Sequence, residues 1–389
     1  MIEENRQPPG VAPFAVSLVL AVLVVVAAML GGWWIALVPF YGMVASSLLD
    51  RLLGNNNSNP DPETGEAALR GHRLLTMIWL PLQVFFVYFA IVAATRFGHL
   101  SGVEAVFLMI AVGIATGEVG IVYAHELIHQ KDRRERALGD ALLAMVLFGH
   151  FRTKHILIHH RYVGTPADPV TARYNEGFYA YFPRVLYQGA VAAWRLEAAR
   201  LRQKGLPEFD RSNPFWRYGS WSAGFLLLAL LAGGWAGVGL FLIQAFIAVL
   251  FLELTNYVEH YGLVRKHLGG GKYEPVRPHH SWNSPRRFTN YLLINLQRHS
   301  DHHYKPDRRF PVLQTYDESE APQIPYGYPF LAAIALVPPV WFRLMNPRVR
   351  KWRAMYYPEI TDWSAYKTAS NPLPLSASAF AKGAGEIVG

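Results

Sequence analysis

The feature that most constrains the fold of this 389-residue chain is a series of long apolar blocks with almost no charge. About 20 consecutive apolar residues are enough to cross the hydrocarbon core of a bilayer. Six blocks reach or approach this length, at residues 13–34, 35–49, 74–95, 103–124, 218–235 and 236–257. The composition agrees, because 52% of the residues are hydrophobic and only 17% are charged. The sequence therefore predicts an all-α polytopic membrane protein with about six transmembrane helices.

The distribution of positive charge predicts the orientation of these spans. Glycine and tryptophan residues separate the first block from the second and the fifth from the sixth, which predicts tight hairpin turns. The loops on that side of the membrane lie near 33–36, 96–102 and 235–238, and Arg96 is the one basic residue they hold out of 37. Lys and Arg accumulate on the cytoplasmic side. We therefore expect a bacterial-type inner-membrane protein with both termini and its active site in the cytoplasm.

Three regions follow from this topology. Residues 1–262 are expected to form the six-span bundle, with a cytoplasmic segment inserted at 126–217. Residues 263–367 are expected to form a cytoplasmic region that completes the functional site. The stretch 368–389 is rich in small residues and predicts a flexible tail.

Charge and cysteine content exclude several classes of function. The net charge is +9, but the basic residues are dispersed among acidic ones, so a nucleic-acid partner is not expected. The chain has no cysteine. It therefore cannot use a cysteine nucleophile or ligate an iron–sulfur centre by itself.

Nine of the 15 histidines occur in four short clusters. They are His125 and His129 in HELIH, His155, His159 and His160 in HILIHH, His260 in NYVEHYG, and His299, His302 and His303 in LQRHSDHH. Helix positions i, i+3 and i+4 share one face, so each cluster is expected to present its imidazoles on one side. An apolar run, YLLINL, precedes the last cluster and predicts a buried helix that carries it into the site. Nine imidazoles exceed what one metal ion uses, so they predict two metal ions.

The remaining six histidines have no such spacing, and we interpret them as ordinary polar residues. They are His72, His99, His150, His267, His279 and His280. Metal-bound histidines commonly donate their second ring N–H to a carboxylate. The candidates for this role are Glu118, Asp168, Glu253, Glu259 and Asp301.

HELIH also matches the H-E-x-x-H motif of zinc metalloproteases, with Glu126 as general base. An intramembrane protease therefore remains an alternative, although it leaves the other seven clustered histidines unexplained. A metal transporter is a further alternative. A redox-active metal at the end of an apolar bundle favours oxygen chemistry on a lipid-soluble substrate. Small residues of the second and fourth blocks are candidates for lining its channel: Gly42, Ala45, Gly113 and Ala115.

The histidine motifs resemble those of a known family. H-x3-H, H-x3-HH and H-x2-HH are similar to the boxes of integral-membrane di-iron desaturases and hydroxylases. NYVEHYG together with LQRHSDHH resembles the membrane alkane 1-monooxygenases, and the resemblance covers roughly residues 12–345. It implies terminal hydroxylation of medium-chain alkanes with O₂, at two non-haem irons bound by the nine histidines. A lipid desaturase and an aromatic side-chain hydroxylase similar to xylene monooxygenase are the alternatives with the same metal site.

The resemblance also implies partners. Rubredoxin would supply the electrons and rubredoxin reductase would reduce it; the Cys-free chain cannot contain the Cys₄ iron site of rubredoxin. Basic residues near the clusters are candidates for docking this donor: Lys131, Arg133, Arg134, Arg152, Lys154, Lys305, Arg308 and Arg309. Alternatively, these charges anchor the protein to anionic lipid.

Overall fold

The computed structural model describes residues 3–4, 7–269, 271–363 and 366, and it is helical over most of this length. The predicted tail, 368–389, lies outside the described residues. Five helices among the described residues are long and apolar enough to cross a membrane: Ala12–Leu30, Gly32–Leu53, Arg70–Arg96, Gly102–His129 and Pro214–His260. We refer to the first four as spans one to four. The predicted all-α, multi-pass membrane fold is confirmed.

The fifth of these helices is a hairpin. As one straight helix, its 47 residues would extend about 70 Å, more than twice the thickness of a hydrocarbon core of about 30 Å. Gly234 interrupts it with φ 63° and ψ −154°, a left-handed conformation that glycine adopts without steric cost. The chain therefore reverses its direction at this glycine.

Side-chain contacts on either side of Gly234 agree with a reversal. Ser222 donates a hydrogen bond to the carbonyl of Ala144 at 3.3 Å, and Gln244 donates one to the next carbonyl, Met145, at 2.8 Å. Residues 22 positions apart in a straight helix could not reach neighbouring carbonyls. Residues 214–233 thus form span five and residues 235–260 form span six, which gives the six predicted spans.

The same turn joins spans one and two. Gly31 has φ 62° and ψ −159°, close to the values at Gly234. Trp33 and Trp235 flank these turns with 92% and 79% of their surface exposed. Tryptophan prefers the boundary between lipid and water. The two hairpin turns are therefore suited to one membrane boundary.

Span four is the centre of the bundle and packs closely on span six. A Cβ atom at Gly113 would lie 2.6 Å from Cβ of Ile247, and one at Gly117 would lie 2.8 Å from Cα of Ala248. Only glycine permits two backbones to approach so closely. This packing brings the ends of spans four and six, which carry HELIH and NYVEHYG, next to each other.

Shorter elements cover the end of the bundle at which these motifs lie. The helices are Arg133–Met145, Phe151–Thr153, Lys154–His159, His160–Tyr162, Phe178–Gln203, Pro278–His280, Arg287–Leu292, His299–Tyr304, Phe310–Val312, Tyr328–Ala335 and Pro338–Tyr356. The two-residue strands Glu3–Glu4 and Ser58–Asn59 pair in parallel, and His267–Gly269 pairs with Lys272–Tyr273 in antiparallel fashion.

The predicted single helix through YLLINL is wrong. The helix Arg287–Leu292 ends inside this motif, because Ile294 and Asn295 adopt positive φ values of 41° and 59°. The Asn295 side chain donates to the carbonyl of Phe310 at 2.9 Å and holds the turn. A separate helix, His299–Tyr304, then carries the last histidine cluster.

Candidate metal centre

The nine clustered histidines come together in two groups beneath spans four and six. Within each group the candidate ligand nitrogens all lie within 4.8 Å of one another. The first group contains His125, His129, His155, His160 and His302, and the second contains His159, His260, His299 and His303. The groups adjoin, because the rings of His160 and His303 have their centroids 4.6 Å apart.

The spacing of the ring nitrogens fits a metal ion in each group. In the first group, Nε2 of His155 lies 3.0 Å from Nε2 of His129 and 2.9 Å from that of His160. In the second, Nε2 of His299 lies 3.1 Å from that of His260 and 3.0 Å from that of His303. Two nitrogens bound at right angles to one metal, each at about 2.1 Å, would be about 3.0 Å apart.

Two further ring nitrogens are available to bind a metal ion. Nε2 of His125 and Nε2 of His159 are buried and have no hydrogen-bond partner among the described residues. A buried polar atom without a partner costs about 1–3 kcal/mol. Coordination of a metal ion in each group would satisfy both atoms.

Burial also keeps the imidazoles in the form that binds metal. It lowers the pKa of His155, His160 and His302 well below the ordinary histidine value, and it does the same for His299 and His303. These rings are therefore neutral at physiological pH. A neutral imidazole keeps a lone pair on one nitrogen, which is what a metal ion requires.

The clusters divide between the two groups, although the rings within a cluster remain neighbours; the ring centroids of His155 and His159, for example, are 5.3 Å apart. Residues 154–159 form a π-helical turn, with hydrogen bonds from residue i to i+5. This wider turn places His155 with His160, five positions on, and directs His159 to the other group. The helix His299–Tyr304 divides as well, since His302 joins the first group and His299 and His303 join the second.

Two of the five candidate carboxylates reach a ring nitrogen of these histidines. Asp168 Oδ2 lies 2.9 Å from Nδ1 of His159, and Glu259 Oε1 lies 3.3 Å from Nδ1 of His299. The Asp168 contact is a hydrogen bond that fixes the His159 ring with Nε2 directed into its group, whereas the Glu259 contact lacks hydrogen-bond geometry.

The other three carboxylates have different partners. Asp301 binds Arg308, Tyr316 and the backbone of Gln314. Glu253 pairs with Lys154. The carboxylate of Glu118 lies against the backbone of Gly42 in span two, and its buried oxygens have no hydrogen-bond partner among the described residues. Glu118 and Glu253 precede His125 and His260 by seven residues each, which predicts that they share a helix face with these histidines. Their side chains contact neighbouring helices instead.

Comparisons with known proteins agree with this geometry. The sequence profile of the fatty acid desaturase family matches residues 101–334. Alkane 1-monooxygenase 1 of Pseudomonas aeruginosa is 42% identical over 316 residues, which cover 79% of this chain and 81% of that protein. The chain belongs to the alkane 1-monooxygenase family. Alkane 1-monooxygenase 2 of Alcanivorax borkumensis is 36% identical, covering 82% and 83%. The xylene/toluene monooxygenase hydroxylase component of Pseudomonas putida is 33% identical, covering 60% and 61%.

The structure brings the histidines of all four clusters together, whereas the protease motif contains the histidines of one cluster. Glu126 also lacks the position of a general base. Its carboxylate accepts hydrogen bonds from the Gln130 side chain at 2.8 Å and from the backbone N–H of Phe310 at 3.4 Å. Glu126 therefore fastens the segment after the last histidine cluster to the end of span four.

A third group of potential ligands, Glu274, His279 and His280, is a hydrogen-bonded network. The backbone N–H of Arg277 donates to Nδ1 of His280 at 2.9 Å. The proton of this neutral ring is therefore on Nε2, which donates to the Tyr357 hydroxyl at 2.8 Å. A protonated Nε2 has no lone pair for a metal, so this group stays consistent with the interpretation of His279 and His280 as polar residues.

A small cavity of about 20 Å³ adjoins both histidine groups on their membrane side. Its volume suits one methyl group or water molecule. It is lined by Gly117, Ile121, Val122, His125, Phe151, His155, Leu252, Thr255, Asn256, Glu259, Leu296 and His299. Sequence reasoning missed its apolar members, yet Gly117 and Ile121 precede His125 by eight and four residues and so share its helix face.

The four residues selected as channel candidates do not line this cavity. Gly113 packs against Ile247 of span six, and Gly42 against Glu118. Ala115 is buried between helices, and Ala45 is half-buried on span two. Their small size serves close packing between helices, which is the more common reason for small residues in membrane bundles.

The candidate docking residues fall into three classes: exposed, ion-paired at the surface, and buried. Lys131, Arg133, Arg134 and Lys305 are exposed. Arg152 pairs with Asp140, and Arg308 pairs with Asp301. Lys154 and Arg309 cannot dock a partner, because Lys154 is completely buried against Glu253 and Arg309 is buried between Glu66 and Glu135.

Proposed function

We propose that this enzyme hydroxylates the terminal carbon of medium-chain alkanes with O₂, at two irons held by the nine histidines. Its relatives are alkane 1-monooxygenases over about four-fifths of the chain. The observation that carries the proposal is the methyl-sized cavity, bounded by apolar side chains and by His125, His155 and His299. Such a space fits a methyl group, and that methyl group would lie beside both histidine groups.

Some residues of this chain would bind the alkane, and others would orient the histidines that hold the irons. When bound, the two irons would activate O₂ and transfer one oxygen atom to the substrate carbon, while two electrons and two protons convert the other to water. Asp168 would hold the ring of His159 in the coordinating orientation through its hydrogen bond at Nδ1, and Glu259 would place a carboxylate 3.3 Å from Nδ1 of His299. Phe151 stacks on His155 with centroids 4.9 Å apart and fixes that ring from the cavity side.

Substrate binding depends on burial of hydrocarbon. An alkane offers no polar handle, so its affinity comes from apolar surface, at about 0.8 kcal/mol per buried CH₂. Ile121 and Val122 from span four face Leu252 from span six across the cavity. The alkane would enter from the bilayer, and the methyl-sized cavity would receive its terminal methyl group.

Product analysis tests the proposal. The purified protein with iron, rubredoxin, rubredoxin reductase and a reduced nicotinamide should convert n-octane to 1-octanol, and ¹⁸O₂ should label the hydroxyl oxygen. A desaturase would give an alkene without the label. A preference for a methylated aromatic substrate would favour the xylene monooxygenase alternative, and two irons per chain by elemental analysis would support the metal assignment.

Filling the cavity should shorten the longest alkane accepted. In Val122→Phe, the larger ring would occupy space that the chain needs next to its methyl end. Each excluded methylene costs about 1–3 kcal/mol of selectivity, so activity on the longest substrates should fall about tenfold or more relative to octane. Val106→Phe is the matched control, because Val106 is exposed on the lipid face of the same span. An unchanged chain-length profile in Val122→Phe, with normal iron content, would contradict this substrate path.

We further propose that rubredoxin docks on the exposed basic residues and that this face is cytoplasmic. Lys131, Arg133 and Arg134 follow His129 directly in the chain. An acidic donor would be steered to such a surface, and steering raises the rate of encounter rather than the rate of chemistry. The positive-inside distribution of Lys and Arg supports the same orientation.

Charge reversal should separate docking from lipid anchoring. Arg133→Glu with Arg134→Glu should raise the Michaelis constant for rubredoxin several-fold and leave membrane insertion and iron content unchanged. The rate should also fall as ionic strength rises to about 0.15 M, where the Debye length is about 8 Å. Arg211→Glu, at an exposed arginine outside this patch, serves as the control. If the reversed variant keeps its rubredoxin dependence and loses membrane insertion, the charges anchor lipid instead.

A further inference from the structure

A second cavity, of about 220 Å³, adjoins the histidines through Asp168. Asp168, the partner of His159, forms part of its wall, together with Gly164, Thr171, Arg173, Tyr174 and Arg353. The cavity is large enough for a small ligand and is separated from the histidines by the Asp168 carboxylate. Neither the proposed reaction nor its substrate uses it.

The cavity carries positive charge without a matching carboxylate. Glu176 is bound to a third arginine, Arg184, by two short contacts of 2.6 and 2.7 Å. The carboxylate of Asp168 is also engaged, since it accepts from His159, from the hydroxyl of Thr171 and from the backbone of Val170. Among the described residues that line the cavity, Asp168 is therefore the one carboxylate, against three arginines.

Neither of the two remaining guanidinium groups forms an ion pair with a described residue, although Glu176 attracts Arg173 electrostatically. The guanidinium of Arg353 lies between the rings of Tyr174 and Trp363, at 4.5 and 4.4 Å from their centroids. Its Nε is buried and has no hydrogen-bond partner within the described part of the chain. The side chain of Arg173 forms no hydrogen bond or ion pair with a described residue. Burial lowers the pKa of both groups, which an anion beside them would reverse.

We propose that this cavity binds a phosphate-type oxyanion between Arg173 and Arg353, either as the headgroup of a phospholipid or as free phosphate. Guanidinium groups present parallel N–H donors that match the oxygens of a phosphate, and such charge-assisted pairs are strong. The aromatic faces around Arg353 hold its plane before the ligand arrives. The bound anion would stabilise the segment that carries Asp168, and with it the orientation of His159.

Thermal unfolding of the iron-loaded, full-length protein tests the site in two arms. In micelles of a maltoside detergent, which contains no phosphate, inorganic phosphate should raise the melting temperature saturably relative to potassium chloride of equal ionic strength. In the second arm, phosphatidylglycerol is added to the micelles and no inorganic phosphate is present. Arg173→Gln and Arg353→Gln should weaken the response about tenfold, because each removes charged hydrogen bonds. Arg343→Gln, at an exposed position on the same helix as Arg353, should leave it unchanged.

The outcomes separate the two sources and can overturn the proposal. A response to phosphate identifies a soluble ligand, and a response only to phosphatidylglycerol identifies a lipid headgroup. The absence of a saturable response in both arms, or an equal response in Arg353→Gln and the unmodified protein, overturns the site. Arg353→Lys guards against a folding defect, because it keeps the charge and should retain part of the response. Hydroxylase activity is not the readout, so a failure here leaves the proposed function intact.

Discussion

Replacing His160 by alanine is expected to abolish hydroxylation and to reduce bound iron from about two ions per chain to about one. Nε2 of His160 lies 2.9 Å from that of His155 and 3.1 Å from that of His302, so the substitution removes one corner of the first group. Loss of a ligand opens the coordination sphere and lowers metal affinity steeply, since even the loss of an outer partner costs 10–100-fold in affinity or activity.

The same experiment tests the division into two groups. His303→Ala should remove iron from the second group and leave the first group of five histidines occupied. Both variants should therefore retain about one iron per chain and lack activity. His150→Ala is the matched control. His150 stands five residues before His155, packs on Phe148 and belongs to neither group. Retention of two irons in His160→Ala or His303→Ala would remove that residue from the ligand set.

The second large effect is expected at the ion pair of Lys154 and Glu253. Their side chains are completely buried, and Nζ of Lys154 lies 2.6 Å from Oε1 of Glu253. Glu253 also accepts a hydrogen bond from Asn256 at 2.9 Å. The pair joins the π-helical turn that carries His155 and His159 to the span that carries His260. Removing one partner leaves a buried charge without compensation, which costs about 3–5 kcal/mol.

We therefore expect Lys154→Met alone to lower the free energy of unfolding by about 3–5 kcal/mol and to lower iron content. The double variant Lys154→Met with Glu253→Leu should recover much of this loss, because apolar groups of similar volume often replace a buried pair at little cost. Unfolding in mixed detergent micelles and iron analysis measure both effects. Lys131→Met, at an exposed lysine, is the control. Strictly additive effects of the two substitutions would indicate that the residues do not interact.

The sequence was sufficient to predict the features that depend on residues close together in the chain. Charge-free blocks predicted the spans, because a bilayer imposes a minimum apolar length. Glycine and tryptophan at 31–34 and 233–235 predicted the hairpin turns, because only glycine adopts the required conformation freely. The spacing of the histidines selected nine of 15, and the structure brings those nine together. In each case the information lies within a few residues.

Features that depend on distant partners could not be predicted. Lys154 resembled a surface charge, because it stands among other basic residues and its partner Glu253 is 99 positions away. The π-helical turn at 154–159 places His159 in a different group from His155, and no residue type in HILIHH marks such a turn. The channel candidates were chosen by size, and none of them lines the membrane-side cavity. Helical spacing from His125 would instead have selected Gly117 and Ile121.

The glycine turns that join the spans have a consequence for how reactants reach the enzyme. At Gly31 and Gly234 the chain reverses within a few residues and presents tryptophan rather than a polar loop. That boundary of the bundle therefore offers a water-soluble protein little polar surface to bind. Under the proposed function, hydrocarbon would arrive laterally through the lipid, whereas the metal, the electrons and the protons would enter at the opposite, helix-covered end. The two supplies would then meet at the histidines without sharing a route.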